Sequence, residues 1–341
     1  MTKLVDVANA ADVSISVVSR ILNADPSLRV AAKTRERVLA AAKELRYQPN
    51  HAARALRLSK NSAIALLTPD YANAIFSEIA RGVEEEADIR NLSVLINRAN
   101  AVESADGWLR RIVEEGRADG IILQAPDGVT KEGLEKLTSG TLPIVLINSR
   151  DDSKLSHIIF DDAGAVELAL EHLFSLGHEK IGFLGGEVSS PTGARRLAGF
   201  VSGMKRKKLE VNSEWVTRIG YTGVDGRKAV SQILNQSNHP SHPTALIVAN
   251  ANAALGALAQ IHTLGLRVPE DISLVSIHDI WFADATWPPI TAVKMPNYEL
   301  GKLAIGMLLK QMETGVIEKH ILTDPPNLLV VRSSTAKPPI G

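Results

Sequence analysis

From Ser62 to Val331 this chain repeats one pattern: a short apolar run, nearly continuous, followed by an amphipathic stretch of helical period. Runs at Ala63–Leu67, Leu92–Ile96, Gly120–Leu123, Pro143–Ile147, Ile158–Phe160, Lys180–Leu184, Trp215–Ile219, Ala245–Ala249 and Ile272–Ile277 read as strands. Helices are expected near 74–90, 104–115, 130–137, 162–176, 195–207, 226–234 and 251–264. Strands without polar alternation need cover on both faces, and intervening helices supply it, so the expected class is α/β with parallel sheets. The units are too many for one sheet, which predicts two lobes. Ile290–Lys294, a helix at Tyr298–Met312 and a strand at Leu328–Val331 are expected to cross back between them. That puts the first lobe at about 61–160 plus 292–321 and the second at about 161–291 plus 322–341. The cleft between such lobes, at the carboxyl ends of the strands, is the default ligand site.

The first sixty residues follow a different rule. Leu4, Val7, Ala8 and Ala11 repeat at helical spacing. Ser14 then stands as a helix cap before Val17, Val18, Ile21 and Leu22, which is the layout of a helix-turn-helix. A third helix fits Thr34–Leu45, with Val38, Leu39, Ala42 and Leu45 inward and Arg35, Arg37, Lys43 and Arg46 outside. These three helices make a domain at 1–48. In the second helix, Ile15, Ser16, Ser19, Arg20 and Asn23 point away from the core. Arg20 can donate twice to a guanine edge, Ser16 can bond a base or a phosphate, and Ile15 suits a thymine methyl. Ser14, Ser19, Asn23 and Thr34 suit phosphates, which position without specifying.

Residues 49–60 form a separate short element with Pro49 at its start and Asn50 as its cap. It is too short to persist as a free helix in water. Leu56 stands among Arg54, Arg57 and Lys60, the composition of a minor-groove wedge. A linker helix whose Leu56 and Leu58 pack on the body fits the spacing equally well.

The 341 residues carry no net charge, but the charge is unevenly spread. In residues 1–60, eleven Lys and Arg face five Asp and Glu, an excess of six that the rest of the chain cancels. A basic head that meets phosphate and an acidic body that does not are implied. No cysteine is present, which excludes disulfides, thiolate catalysis and cysteine-held zinc. The stretch Met1–Asp6 lacks the apolar core of a secretory signal and no run reaches membrane-spanning length, so a cytoplasmic protein without a membrane partner is expected. No dinucleotide fingerprint, phosphate loop, Gly-x-Ser-x-Gly or metal-ligand spacing occurs, so no cofactor, metal or catalytic residue is expected. Gly182-Phe183-Leu184-Gly185-Gly186 reads as a tight strand exit, and His178 lies beyond the cap Gly177. The tail after Ser333 has no heptad pattern.

A family resemblance now covers nearly the whole chain. Its pieces are Asp6-Val7-Ala8, Val13-Ser14, Val18-Ser19-Arg20-Ile21-Leu22-Asn23, Thr34-Arg35-Glu36-Arg37-Val38, Tyr47-Gln48-Pro49-Asn50 and Ala53-Arg54-Ala55-Leu56 in the head. In the body they are Leu176-Gly177-His178, Arg196-Leu197-Ala198-Gly199-Phe200, Leu255-Gly256, Val268-Pro269-Glu270-Asp271 and Pro288-Pro289-Ile290-Thr291. The chain resembles the LacI/GalR family of bacterial transcriptional regulators. The resemblance implies a homodimer on a pseudo-palindromic double-stranded DNA operator. It also implies a hinge helix at 49–60, where Asn50 and Ala53 meet DNA and Leu56 kinks the operator centre. The body at 61–341 is expected to resemble periplasmic binding proteins and to hold a small-molecule effector, a sugar or related metabolite. The expected role is a repressor controlled by that effector, with the sign of control open. A secreted ligand receptor, or an enzyme acting on a cleft ligand, is the alternative.

By the same resemblance, Ile15, Ser16 and Arg20 read the major groove. Phe76, Asn148, Arg196, Tyr221 and Asn250 fall on effector positions, and Asp279 lies in the segment that usually supplies a carboxylate. The sequence also departs from the pattern. Asp12 replaces the usual turn glycine, Val17 a threonine and Ala251 an aspartate, while Ser276-Ile277-His278-Asp279 replaces Gly-aromatic-Asp-Asp. The loop from Asn23 to Val30 looks two residues longer than usual. The changes around the cleft point to an anionic or less hydroxylated effector, with Arg150, Arg196 and His278 as partners and Trp281 as a stacking surface.

Overall fold

In the computed structural model, residues 2–22, 25, 27–47, 61–99, 112, 115–127, 129, 142–149, 154–235 and 242–339 are described, in two compact units, Met1–Asn61 and Ser62–Gly341. The hinge positions Asn50, Ala53 and Leu56 lie outside the described residues, as do Asn23, Arg150 and the helix expected at 130–137.

The first unit contains helices α1 (Leu4–Ala10), α2 (Ile15–Leu22) and α3 (Ala32–Glu44). Val7, Ala8, Ala11, Val18, Ile21, Val38, Ala41 and Ala42 form its core. Asp12 turns the chain between α1 and α2 at φ 48°, the left-handed geometry in which aspartate is among the better-tolerated non-glycine residues. Leu39 is exposed rather than inward, and Ala41 takes its place. At 3.6 residues per turn, positions 38, 41, 42 and 45 share a face, and 39 lies about 100° away from 38. The helix also begins two residues earlier than Thr34, at Ala32.

The second unit holds two six-stranded sheets. The first contains β1 (Ala63–Thr68), β2 (Ser93–Arg98), β3 (Gly120–Leu123), β4 (Ile144–Ile147), β5 (Ser156–Phe160) and β11 (Lys319–Leu322), in the order β11-β5-β4-β3-β1-β2. The second contains β6 (Ile181–Gly185), β7 (Val216–Arg218), β8 (Ala245–Val248), β9 (Ser273–Ile277), β10 (Thr291–Lys294) and β12 (Leu328–Val330), in the order β12-β10-β9-β8-β6-β7. Every pairing is parallel except β10 with β12. The covering helices are α4 (Ile75–Ile89), α5 (Asp162–Ser175), α6 (Pro191–Arg206), α7 (Gly223–Asn235), α8 (Ala251–Thr263) and α9 (Asn297–Thr314). β1, β3, β4, β5, β6, β8 and β9 are buried along their whole length, as their mostly apolar sequences require.

β10 pairs with β9, so the second lobe runs to Lys294 and the first-lobe segment begins after it rather than at 292. Thr291 is fully buried and, with Ala292 and Val293, completes the second sheet. α9 then packs on α4 through two glycines. A Cβ on Gly82 would lie 2.1 Å from the Tyr298 carbonyl oxygen, and one on Gly301 2.2 Å from that of Ile79. β11 was not foreseen, because Lys319 and His320 break the apolar pattern on a sheet edge. The polar tail is part of the second lobe: Ser334 is fully buried, its Oγ donates to the Leu274 carbonyl at 2.5 Å and it accepts from the Thr291 amide at 2.8 Å. Among the described residues no helix is long and apolar enough to cross a membrane.

Candidate functional site

The head presents a short polar face. Ser14 and Ser16 are exposed, Ile15 is exposed at the start of α2, and Ser19 and Arg20 are half-buried. Val18 and Ile21 anchor the opposite side of the helix in the core, which fixes this face outward. Ser14 Oγ accepts from the Val17 amide at 3.3 Å, the cap that its position predicts. Val17 packs on the core in place of a hydroxyl-bearing side chain. Thr34 is half-buried in the first turn of α3. Arg20 is already engaged: its Nε donates to Asp25 at 2.8 Å and its Nη2 to Ser27 at 2.9 Å. Sequence reasoning missed this clasp, although both partners lie in the loop that looks longer than usual.

In the body, a cavity of about 210 Å³ opens between the lobes, and part of its lining sits just beyond the ends of parallel strands. Pro69 and Asp70 follow β1, Gln124 follows β3, Asn148 follows β4, Glu187 follows β6, Asn250 follows β8 and His278 follows β9. The expected residues Phe76, Asn148, Arg196, Tyr221 and Asn250 all line it.

Arg196 is the most constrained of them. It is one of the largest fully buried side chains in the protein. Its Nε donates to Asp162 Oδ1 at 2.8 Å, its Nη1 to the Ala249 carbonyl and its Nη2 to His278 Nε2 at 2.8 Å. Asp162, in the first turn of α5, also accepts from Arg195 Nε at 2.8 Å. Because Arg196 donates to Nε2, the His278 ring carries its proton on Nδ1. Burial, with the Arg196 charge beside it, holds the ring well below its usual pKa, so it is neutral.

Asn148 links the lobes. Thr192 Oγ1, on α6 of the second lobe, lies 3.2 Å from both the carbonyl and the side-chain oxygen of Asn148. At the cleft edge Asn252 Nδ2 donates to the Ala72 carbonyl at 3.0 Å, and Tyr221 OH lies 2.8 Å from Ser190 Oγ. A Cβ on Gly186 would lie 2.0 Å from Tyr221, so only glycine leaves room for that ring. Asn250 caps α8 by accepting from the Ala253 amide at 2.8 Å, and its buried Nδ2 has no protein partner.

Two expected effector residues lie elsewhere. Asp279 pairs with Arg332, 2.8 Å away, ahead of the C-terminal tail. His278 adopts a left-handed φ of 68°, which swings its own ring into the cleft and sends the next residue away from it. Trp281 lies beyond this turn, 79% exposed, with its ring edge-on to Phe282. Of the pair expected to meet an anion, Arg196 is engaged by Asp162, which also pairs with Arg195, and His278 is held neutral by burial. The sequence reading omitted Asp70, Gln124, Asp127, Glu187, Ser190, Thr192, Thr222, Asp225 and Asn252, all in the lining. A usable signal existed for several of them, since polar residues directly after an apolar strand face the cleft in such folds.

Known proteins share both units. The family described as "Bacterial regulatory proteins, lacI family" matches residues 3–50, and "Periplasmic binding protein-like domain" matches residues 170–335. The HTH-type transcriptional repressor PurR of Pasteurella multocida (strain Pm70) is 32% identical over 98% of this chain and 98% of its own. Catabolite control protein A of Priestia megaterium is 28% identical over 97% of this chain and 98% of its own. The crystal structure of the lac repressor dimer bound to operator and the anti-inducer ONPF superposes with a TM-score of 0.85 at 30% identity, covering 98% of this chain and 99% of that one. A helix-turn-helix head and a two-lobed body, matched end to end in this way, make the chain a member of the lacI family of bacterial regulatory proteins.

Proposed function

We propose that this regulator is a homodimer that represses transcription from a pseudo-palindromic operator and is controlled by a small molecule in the interlobe cleft. The observation that carries this reading is a polar cleft lining with buried, unpartnered groups in a chain that also bears a helix-turn-helix. Asn250 Nδ2 and Gln124 Oε1 are buried in that lining without partners. Such groups are costly to leave unmade and are ordinarily satisfied by a ligand or water. The lac repressor relative is described as a dimer bound to operator, which supports the dimer and the duplex target. Ile15, Ser16 and Arg20 are assigned to base edges, and Ser14, Ser19, Asn23 and Thr34 to phosphates. Asn50, Ala53 and Leu56 are assigned to the hinge.

Control runs through lobe closure. The Thr192–Asn148 and Asn252–Ala72 bonds join the lobes, so a ligand that alters them shifts the population of DNA-competent dimers. The cleft is read as a sensor, not a catalytic site, in keeping with relatives that are transcriptional regulators.

The test is selection of duplexes from a random library by the full-length protein, followed by binding titrations with scrambled competitor. A palindromic consensus bound by two chains is the expected result. Leu56→Ala should weaken operator binding sharply while leaving body stability unchanged. Absence of any sequence preference overturns the reading.

A further inference from the structure

We infer that the cleft takes a small hydroxylated molecule carrying a protonated amine, an inference that rests on the effector-binding reading above. Four carboxylates line the cavity: Asp70, Asp127, Glu187 and Asp225. Among the described residues none of them forms an ion pair. Their hydrogen bonds come from uncharged groups. Asp70 accepts from the Ala72 amide at 3.0 Å, and Asp225 from the Thr222 amide at 2.9 Å and hydroxyl at 2.6 Å. Glu187 accepts from the Ser189 hydroxyl at 3.5 Å.

The cations nearby are occupied. Arg196, the one cation in the described lining, is engaged from behind by Asp162, which it shares with Arg195, and donates to a backbone carbonyl and a neutral histidine. Arg218, which faces Asp127, turns its Nη2 to the carbonyls of Glu187 at 2.5 Å and Ser190 at 3.5 Å. Four lining carboxylates therefore outnumber the cations beside them among the described residues, with Arg218 offsetting only part of the charge at Asp127. An anion would enter against that excess, and a cation would relieve the repulsion between neighbouring carboxylates. Loss of solvent, with Glu187 nearby, already pushes the Asp127 carboxyl above its usual range.

Carboxylates alone do not define a site, but Asn250 adds an independent demand. It is 3% exposed, lines the same cavity, and its Nδ2 donor lacks an acceptor. Gln124 Oε1 lacks a donor on the opposite lobe. A hydroxyl group answers both, accepting from the one or donating to the other. An ammonium between the carboxylates and hydroxyls toward Asn250 and Gln124 completes the lining.

The test compares glucosamine, glucose and gluconate, one carbon frame with positive, neutral and negative charge, by titration calorimetry and thermal shift on the full-length protein. Glucosamine should bind roughly tenfold more tightly than glucose, with an advantage that shrinks as salt rises. Asp127→Asn combined with Glu187→Gln should erase that preference. Glucose or gluconate binding as well as glucosamine overturns the amine while leaving the effector cleft intact. Silence from all three also overturns the amine, and the operator selection described above then decides the effector-controlled reading separately.

Discussion

Arg20 of α2 and Asp25 form a clasp in the head: Nε lies 2.8 Å from Oδ2, and Ser27 holds the far end of the guanidinium at 2.9 Å. A long, free arginine loses rotamer entropy when it docks on a base, and a side chain already held loses less. The extended loop thus supplies an arginine prepared in one orientation. Arg20→Ala should cost about 1–3 kcal/mol of operator affinity and relax preference at one base pair in each half-site. Asp25→Asn should give a smaller loss at that same base pair. Equal losses on random duplex would make Arg20 a phosphate contact.

The clasp also predicts a titration. Hydrogen bonds from Ser27 and Arg20 lower the Asp25 pKa to about 2. A carboxylate held below its unfolded value stabilises the fold above about pH 4 and loses that contribution as acid takes the pH down through its folded value. Carboxyl carbon NMR on the head should place the Asp25 midpoint near 2. A midpoint near the ordinary value would show the clasp open in solution.

Arg195, Asp162 and Arg196 form a branched ion cluster, with Asp162 and Arg196 side chains only 0% and 2% exposed. Removing the carboxylate charge leaves Arg196 buried beside a neutral partner. Asp162→Asn should destabilise the body by about 3–5 kcal/mol, read from denaturant unfolding. A loss under about 1 kcal/mol would indicate that water reaches the arginine.

Three buried or half-buried histidines of the second lobe are held below their usual pKa by burial: His172, His178 and His278. The unfolded chain binds protons at these positions more readily than the folded one. Body stability is therefore complete above about pH 6.5 and declines as pH falls below it. The melting temperature should drop between neutral pH and about pH 5, and His278→Gln should flatten the slope. A melting temperature independent of pH over this range would contradict neutral buried rings.

Gly256 is fixed by a helix approach. A Cβ there would stand 1.8 Å from the Gly223 carbonyl oxygen, and one on Gly226 2.0 Å from that of Ala253. α7 and α8 therefore touch backbone to backbone. Gly256→Ala should force the helices apart at about 1–3 kcal/mol, measured by thermal unfolding, while Gly306→Ala, in open space on α9, should be nearly neutral or stabilising.

The strands and helices of both lobes were legible because burial on two faces leaves a nearly continuous apolar run, as at Ile144–Ile147 and Ala245–Val248. The outward face of α2 was legible because Val18 and Ile21 fix which side is buried. Phe76, Asn148, Arg196, Tyr221 and Asn250 were placed by resemblance, and all five reach the cavity. Asp279 and Trp281 were misplaced, since a single left-handed residue at His278 reverses which neighbour points inward. Nothing local in Ser276-Ile277-His278-Asp279 announces that turn.

Sequence by itself determined the class, the two-part organisation and the chemistry of the head, because periodicity and charge are properties of neighbours along the chain. Only the tertiary structure decided which carboxylates share the cleft. Asp70, Asp127, Glu187 and Asp225 are far apart in sequence and meet only when two sheets bring their strand ends together. Asp162 likewise reaches Arg195 and Arg196 only through the packing of α5 on α6, and the field at a point depends on every charge within a few ångström.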